Sequence, residues 1–151
     1  LESLDESIES IKPVIKPDIK LDCFWGSSIP KRYVDADSER IDIYKRLEHT
    51  HHTKVDEVRD EIIDRFGELP EVTNNLFVTA KIRSVLSEKN ILRCKIRESQ
   101  IELFPVDLTE EVNLRIKTLD KKLIFRNKRL VLNFKDVLTP DSVYGILNSS
   151  L

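Results

Sequence analysis

A chain of 151 residues with 40% hydrophobic residues can bury one core without disulfides or metal ions, so a single domain is expected. The net charge of -2 conceals an asymmetry, because residues 1–80 contain 11 Lys and Arg against 18 Asp and Glu, whereas residues 81–151 contain 14 against 9. Two cysteines and the lack of any apolar run of roughly 18 residues argue against a disulfide scaffold and a membrane span, which favours a cytoplasmic location.

The first 17 residues are predicted to be a linker that leaves a preceding domain. Residues 1–12 place apolar side chains at helical spacing, and Pro13 and Pro17 then interrupt this short amphipathic segment. The chain starts at Leu1 and contains no methionine, so we expect it to be part of a longer protein. The globular domain is expected over residues 18–151, since domain boundaries collect proline and polar residues.

A strand and a helix are predicted to open the domain. Within residues 19–25 the strand-forming residues Ile19, Leu21, Cys23 and Trp25 alternate with the residues between them, which is the two-residue period of a strand. Cys23 is interpreted as a small core residue of this strand. The first helix is expected over residues 38–48, with Asp37 or Ser38 as its cap. Its apolar face is predicted to carry Ile41, Tyr44 and Leu47.

Two further helices are predicted to follow directly. The second begins near Lys54 and ends at Gly67, because glycine tolerates the left-handed conformation that closes a helix. Pro70 suits the first turn of the third helix, which extends to about Lys89. The apolar positions of the two helices are Val55, Val58, Ile62, Phe66, Val78, Ile82, Val85 and Leu86.

The last third is predicted to be mainly antiparallel strands with one helix between them and a short helix at the end. Strands are expected at residues 91–96 and 101–104, and as a hairpin around Asn127-Lys128. Asp107 and Glu110 form a plausible capping pair for the intervening helix, and Thr139-Pro140 starts the final one. The order of elements predicts one α+β domain whose three consecutive helices pack against the sheet.

The sequence lacks the patterns of common catalytic and cofactor sites. Gly26, Gly67 and Gly145 each stand alone, whereas phosphate-binding loops need several glycines close together, so no nucleotide site and no enzyme activity are expected. No cofactor is indicated. The segment containing His49, His51 and His52 has no further ligand at metal-site spacing, so these histidines are interpreted as residues at the end of a helix.

An acidic face on the second helix is the candidate partner-binding site. At about 100° per residue, its carboxylates lie opposite its apolar side. Negative charges near a helix C-terminus oppose the helix dipole and repel each other, so the pattern favours a basic partner as much as it favours a solvated face. The candidate residues are Glu57, Asp60, Glu61, Asp64 and Glu68.

A basic strand supports an alternative function. Arg93, Lys95 and Arg97 share one face of the strand. The alternative function is an accessory module that binds nucleic acid with the basic C-terminal half of the chain, which contains this strand. The same pattern protects an edge strand against aggregation without any ligand. Because no aromatic residues interleave with these bases on that face, a stacking platform for single strands is not expected.

Three segments in register resemble the C-terminal domain of the bacterial transcription-repair coupling factor family (Mfd). They are Ile29-Pro30 with Tyr33-Val34, the run RIDIYKR at residues 40–46, and the run EIIDRFGELP at residues 61–70. The resemblance covers about residues 17–86 and is weak beyond Asn90, where only the order of helices and strands supports it.

This resemblance implies a regulatory role in transcription-coupled nucleotide excision repair. In this family, the parent protein is an ATP-dependent DNA translocase that binds stalled RNA polymerase and recruits UvrA, and its ATPase motifs lie in preceding domains. The C-terminal domain packs on the UvrB-like module of the same chain and masks its UvrA-binding surface. The helix that ends in Asp-Arg-Phe-Gly supplies acidic contacts, and Glu61 and Asp64 match those positions.

Overall fold

The computed structural model describes residues 18–119 and 121–151, so the linker and helix predicted within residues 1–17 lie outside the described part. The strands in these ranges are β1 Lys20–Cys23, β2 Arg93–Arg97, β3 Gln100–Phe104, β4 Lys121–Arg126 and β5 Arg129–Phe134. The helices are α1 Asp37–Glu48, α2 Val55–Phe66, α3 Glu71–Glu88, α4 Glu110–Lys117 and α5 Pro140–Ser150. A 3-10 turn, His52–Lys54, precedes α2. Within the described ranges, no helix is both long and apolar enough to cross a bilayer.

The five strands form one sheet in the order β1-β2-β3-β5-β4. β1 runs parallel to β2 with Leu21 opposite Cys94, because α1, α2 and α3 return the chain to the same end of the sheet before β2 begins. The other pairings are antiparallel, with Ile101 opposite Leu132 between β3 and β5. The structure confirms the predicted α+β domain with a mainly antiparallel sheet.

The main core lies between one face of the sheet and three helices. Alternation along the strands places every second side chain on this face, as in β2, where Cys94 and Ile96 are buried between exposed basic residues. Ile82 of α3, Ile116 of α4 and Leu147 of α5 are fully buried against it. The long helix α3 therefore docks on the sheet, and α5 packs beside it.

A second core explains where the first two helices pack. Its buried residues are Ile29, Val34, Ile43, Leu47, Val55, Val58, Ile62 and Phe77. The expectation that all three consecutive helices pack against the sheet is wrong for α1 and α2, whose buried side chains lie in this second cluster. Phe77 belongs to it, whereas the next residue, Val78, belongs to the main core, so α3 presents apolar side chains to both.

The cap predicted for the first helix was wrong, and only Leu47 of its predicted apolar face is buried. Ile43 and Leu47 are buried, whereas Ile41 is 50% exposed and Tyr44 lies at the surface. The helix starts at Asp37 after Ala36, so neither predicted side chain caps it. In α4 the cap is also different, because Thr109 rather than Asp107 accepts the N–H of Val112.

The turns follow the predicted chemistry. Gly67 has a φ of 93° and donates its N–H to the carbonyl of Ile63 at 2.8 Å, which ends α2. Asn127 and Lys128 have φ values of 50° and 65°, so the hairpin between β4 and β5 turns where it was predicted. Thr139 caps α5, and Pro140 is its first residue.

Candidate interaction surface on the first two helices

The three motif segments of the sequence meet in space around α1 and α2. Ile29 is buried and donates its N–H to the Tyr44 hydroxyl at 2.9 Å. The hydroxyl of Tyr33 donates to the carbonyl of Gly67 at 2.6 Å. The guanidinium of Arg40 donates to the carbonyl of Val34 at 2.6 Å. These bonds hold the loop before α1 against both helices, so the motif residues build a scaffold for the surface of α2.

All five predicted partner-binding residues are exposed. Glu57, Asp60, Glu61 and Asp64 lie on α2, on the side away from its buried side chains. Glu68 lies beyond the end of the helix, because Gly67 breaks it. The structure therefore places four of the predicted carboxylates on one helix and the fifth in the loop that follows.

Glu61 forms a two-bond ion pair with Arg46 of α1. The two guanidinium nitrogens of Arg46 donate to the two carboxylate oxygens of Glu61 at 2.5 and 2.8 Å. These hydrogen bonds are the main reason that the pKa of Glu61 lies below its ordinary value. Both side chains remain about half exposed, so the pair is screened by solvent and serves mainly to set the position of α1 against α2.

Lowering of the Glu61 pKa is a measurable consequence of this pair. We expect carbon-detected NMR titration to give a Glu61 pKa below that of a free glutamate, and Arg46→Ala to raise it towards the ordinary value. The pair stabilises the folded state above the ordinary glutamate pKa, and this support is lost as the pH falls through the lowered pKa. Arg65→Ala is the control, because Arg65 acts on Glu61 only through weaker charge attraction. An unchanged Glu61 pKa in Arg46→Ala would contradict the assigned cause.

The other carboxylates of α2 differ in their partners. Glu57 pairs with Lys54 at 3.2 Å, one turn earlier on the chain. Asp60, Asp64 and Glu68 form no ion pair with any residue that the structure describes. The candidate surface therefore contains three carboxylates without a cationic partner in the described ranges, next to one that Arg46 already holds. Sequence reasoning missed Arg46, although it lies in the motif RIDIYKR.

The open face of the sheet carries the basic residues of the alternative function. Arg93, Lys95 and Arg97 are exposed there, as predicted from their alternation. The expectation that no aromatic residue accompanies them is wrong, because β3 places Phe104 opposite Arg93, with the guanidinium carbon 5.9 Å from the ring centre. Pairing between strands brings this ring to the face, and a pattern read along one strand cannot show it.

Acidic residues reduce the positive charge of this face. Asp22 accepts a bond from Arg97 at 3.1 Å, and Glu102 pairs with Arg129 at 3.2 Å. Arg97 and Arg129 are therefore already paired with carboxylates of the same sheet. Lys95 lies between Asp22 and Glu102 in the strand register. The face is thus of mixed charge rather than a continuous basic stripe.

Neither cysteine has the features of a catalytic nucleophile. Burial raises the pKa of the Cys23 thiol to about 11, with a smaller contribution from Asp22. Cys94 is buried in the main core, and burial also raises its pKa. Both thiols therefore remain protonated at neutral pH, as expected for small core residues.

Comparison with known proteins matches most of this chain to a described family. Residues 26–116 match the family described as the TRCF domain. Over 85 residues the chain is 33% identical to the transcription-repair-coupling factor of Buchnera aphidicola, and over 90 residues it is 39% identical to that of Rickettsia typhi. These alignments cover 56% and 58% of this chain but only 10% and 8% of the relatives, so the chain spans about a tenth of their length.

The fold is also similar to a solved structure. A crystal structure of the C-terminal domain of transcription-repair coupling factor superimposes with a TM-score of 0.74. The superposition covers 91% of this chain and 92% of the other, at 20% sequence identity. This likeness therefore extends through the last third of the chain, where the sequence resemblance is weak, and it concerns the fold.

Proposed function

The chain belongs to the TRCF domain family, and from this membership we propose that it is the C-terminal regulatory domain of a bacterial transcription-repair coupling factor. In this proposal the domain performs no catalysis. It packs on a UvrB-like module of the same parent protein and masks the surface that binds UvrA. The parent protein would be the ATP-dependent DNA translocase that engages stalled RNA polymerase, so the domain would act on both partners only indirectly.

The observation that carries this proposal is the set of exposed carboxylates on and after α2. Asp60, Asp64 and Glu68 have no cationic partner among the described residues. Unpaired charges of one sign on and directly after one helix suit a partner surface with Arg or Lys side chains, because complementary charge sets the orientation of docking. The scaffold of motif residues beneath α2 supports this, since it fixes the helix without using these three carboxylates.

Masking by such a domain is a shift between closed and open states. UvrA would bind only to the open state, so its apparent affinity is reduced by the fraction of molecules that are open. Weakening the docked contact raises that fraction without changing the UvrA-binding surface itself. The function of the domain would then appear as a change in UvrA affinity of the whole parent protein.

Charge reversal on α2 tests the proposal. We expect Glu61→Lys with Asp64→Lys, made in the intact parent protein, to raise its affinity for UvrA several-fold at matched salt. Fold should be retained, because both side chains point away from the buried side of α2 and the Arg46–Glu61 pair that is lost is half exposed and screened by solvent. Titration of UvrA against wild-type and variant parent proteins measures the effect. Unchanged UvrA binding by a folded variant would refute the proposal that these carboxylates hold the closed state.

A charge exchange separates this effect from a local disturbance of the domain. Arg46→Glu combined with Glu61→Arg keeps the ion pair between α1 and α2 and the net charge, but it reverses the charge that α2 presents at position 61. If position 61 faces a basic partner, the exchange raises UvrA affinity as Glu61→Lys does. If Glu61 only supports Arg46, the exchange restores wild-type binding. Glu110→Lys with Asp136→Lys is the matched control for the Glu61→Lys and Asp64→Lys variant. It changes the total charge by the same amount at two residues that are exposed elsewhere on the domain.

The alternative function is a nucleic-acid-binding module that uses the open face of the sheet. Phe104 beside Arg93 favours it, because stacking and phosphate contacts together bind single strands. The pairs Arg97–Asp22 and Arg129–Glu102 oppose it, since they neutralise part of the face. We therefore retain the regulatory role. Binding of labelled DNA with a steep dependence on salt concentration would favour the alternative instead.

A further inference from the structure

Two histidines and a glutamate converge at the junction between α1, α2 and α3. His51 and His52 lie within the connection between α1 and α2, and Glu88 is the last residue of α3, 37 residues after His51. The Nε2 atom of His51 lies 2.8 Å from one carboxylate oxygen of Glu88, and the Nε2 atom of His52 lies 3.5 Å from the other. Sequence spacing could not show this group, because its third member comes from another helix.

The Nδ1 atom of each histidine lies within hydrogen-bond distance of a hydroxyl group. The Nδ1 atom of His51 lies 2.8 Å from the Thr53 hydroxyl, and the Nδ1 atom of His52 lies 2.8 Å from the Tyr144 hydroxyl. The Tyr144 hydroxyl can accept an N–H, so the His52 ring can carry its proton on Nδ1 and leave Nε2 as a free electron-pair donor. The Nδ1 atom of His51 also accepts the backbone N–H of Thr53 at 3.3 Å, so its Nε2 carries the proton and donates it to Glu88. A metal ion at Nε2 would move this proton to Nδ1, where the Thr53 hydroxyl can accept it. Such partners on the far nitrogen are what orients imidazole ligands in metal sites.

The three candidate ligand atoms lie close enough together for small side-chain movements to bring them onto one metal ion. All lie within 4.8 Å of one another. With bonds of about 2.0 to 2.2 Å, two ligands on a tetrahedral zinc ion are separated by about 3.4 Å. The Nε2 atom of His52 lies 3.5 Å from one carboxylate oxygen of Glu88, which matches this separation, and that oxygen is the candidate ligand atom. The Nε2 atom of His51 is hydrogen-bonded to the other oxygen, so metal binding would break this bond and turn the His51 ring towards the ion. His52 is 6% exposed, so burial holds its ring in place, whereas the half-exposed His51 and Glu88 can adjust.

We propose that His51, His52 and Glu88 form a binding site for a divalent transition-metal ion of the zinc type. Two imidazole nitrogens and one carboxylate suit zinc and cobalt better than magnesium or calcium, which prefer oxygen ligands. A bound ion would join the connection between α1 and α2 to the end of α3, and through Tyr144 to α5. The site uses none of the residues of the proposed docking surface and is independent of that function.

Cobalt titration of the tag-free 151-residue chain, read by visible absorption, tests this site. We expect one cobalt ion per chain with the strong d–d bands of a tetrahedral site, and displacement of cobalt by zinc. His51→Ala and Glu88→Gln should each weaken binding at least tenfold, because each removes one of three ligands. Both side chains are half exposed, so these variants should fold as the wild type does. A rise in the thermal unfolding midpoint with zinc concentration should accompany binding.

Two controls decide whether the three residues are the ligands. His49→Ala should bind cobalt as the wild type does, because His49 is not part of the group. Cys23→Ser tests the half-buried thiol and should also leave binding unchanged. Absence of stoichiometric cobalt binding at micromolar concentration would overturn the proposal. So would an equal loss of binding in His49→Ala, or full binding in His51→Ala and Glu88→Gln.

Discussion

Replacing Ile82 by alanine is expected to lower the free energy of unfolding by about 2 to 5 kcal/mol. Ile82 lies in the middle of α3, is fully buried, and belongs to the main core between that helix and the sheet. Truncation removes hydrophobic burial and leaves a cavity that the surrounding strands and α5 can fill only in part. Urea unfolding followed by circular dichroism measures the loss as a lower midpoint with an unchanged slope.

Ile124→Ala is the matched control for this prediction. It makes the same chemical change at a side chain that is 55% exposed on β4, where little hydrophobic surface is buried. Its effect should stay within about 0.5 kcal/mol. Equal effects of the two substitutions would contradict the placement of α3 on the sheet, since only a buried isoleucine can lose both burial and packing contacts.

Periodic patterns and turn residues predicted most of the architecture. The alternation in β2 and the helical spacing through Ile82 and Leu86 gave the correct buried sides, because burial of one face dominates the choice of structure. Gly67 and the hairpin at Asn127 also ended their elements where expected. In these cases one local cause, either a buried face or a positive φ, decides the local structure.

Helix α1 shows where such reasoning fails. Apolar residues occur at Ile41, Ile43, Tyr44 and Leu47, so the sequence offers two overlapping faces and cannot choose between them. The choice depends on the loop before the helix, whose buried Ile29 binds the Tyr44 hydroxyl and draws that side chain to the edge of the core. Tertiary contacts therefore decide a question that helical spacing leaves open.

The candidate sites divide in the same way. The exposed positions of the five predicted carboxylates follow from helical geometry, apart from Glu68 after the helix end. The ion pair of Glu61 with Arg46 and the meeting of His51 with Glu88 do not, because their partners come from other elements. A single sequence shows which residues could bear a function, whereas the packing of helices decides which of them act together.

Phe77→Ala is expected to lower the free energy of unfolding by about 3 to 5 kcal/mol. We expect the whole domain to unfold together at this lower stability. Phe77 is 1% exposed and is the fully buried side chain of α3 in the second core, where α1 and α2 also bury residues. Since α3 also packs on the sheet, weakening its hold on α1 and α2 should weaken one cooperative unit rather than release a separate one.

Two spectroscopic probes distinguish these outcomes. Trp25, the single tryptophan, donates its indole N–H to Thr79 of α3 at 2.8 Å and packs against the main core, so its fluorescence reports that core. Far-ultraviolet circular dichroism reports the helices, including α1 and α2. We expect both probes to shift to the same lower unfolding midpoint in Phe77→Ala. Phe125→Ala is the control, because Phe125 is 37% exposed and its loss should lower the free energy of unfolding by no more than about 1 kcal/mol. If dichroism is lost early while Trp25 keeps its wild-type midpoint, the two cores unfold separately, and α3 does not couple the candidate interaction surface to the sheet.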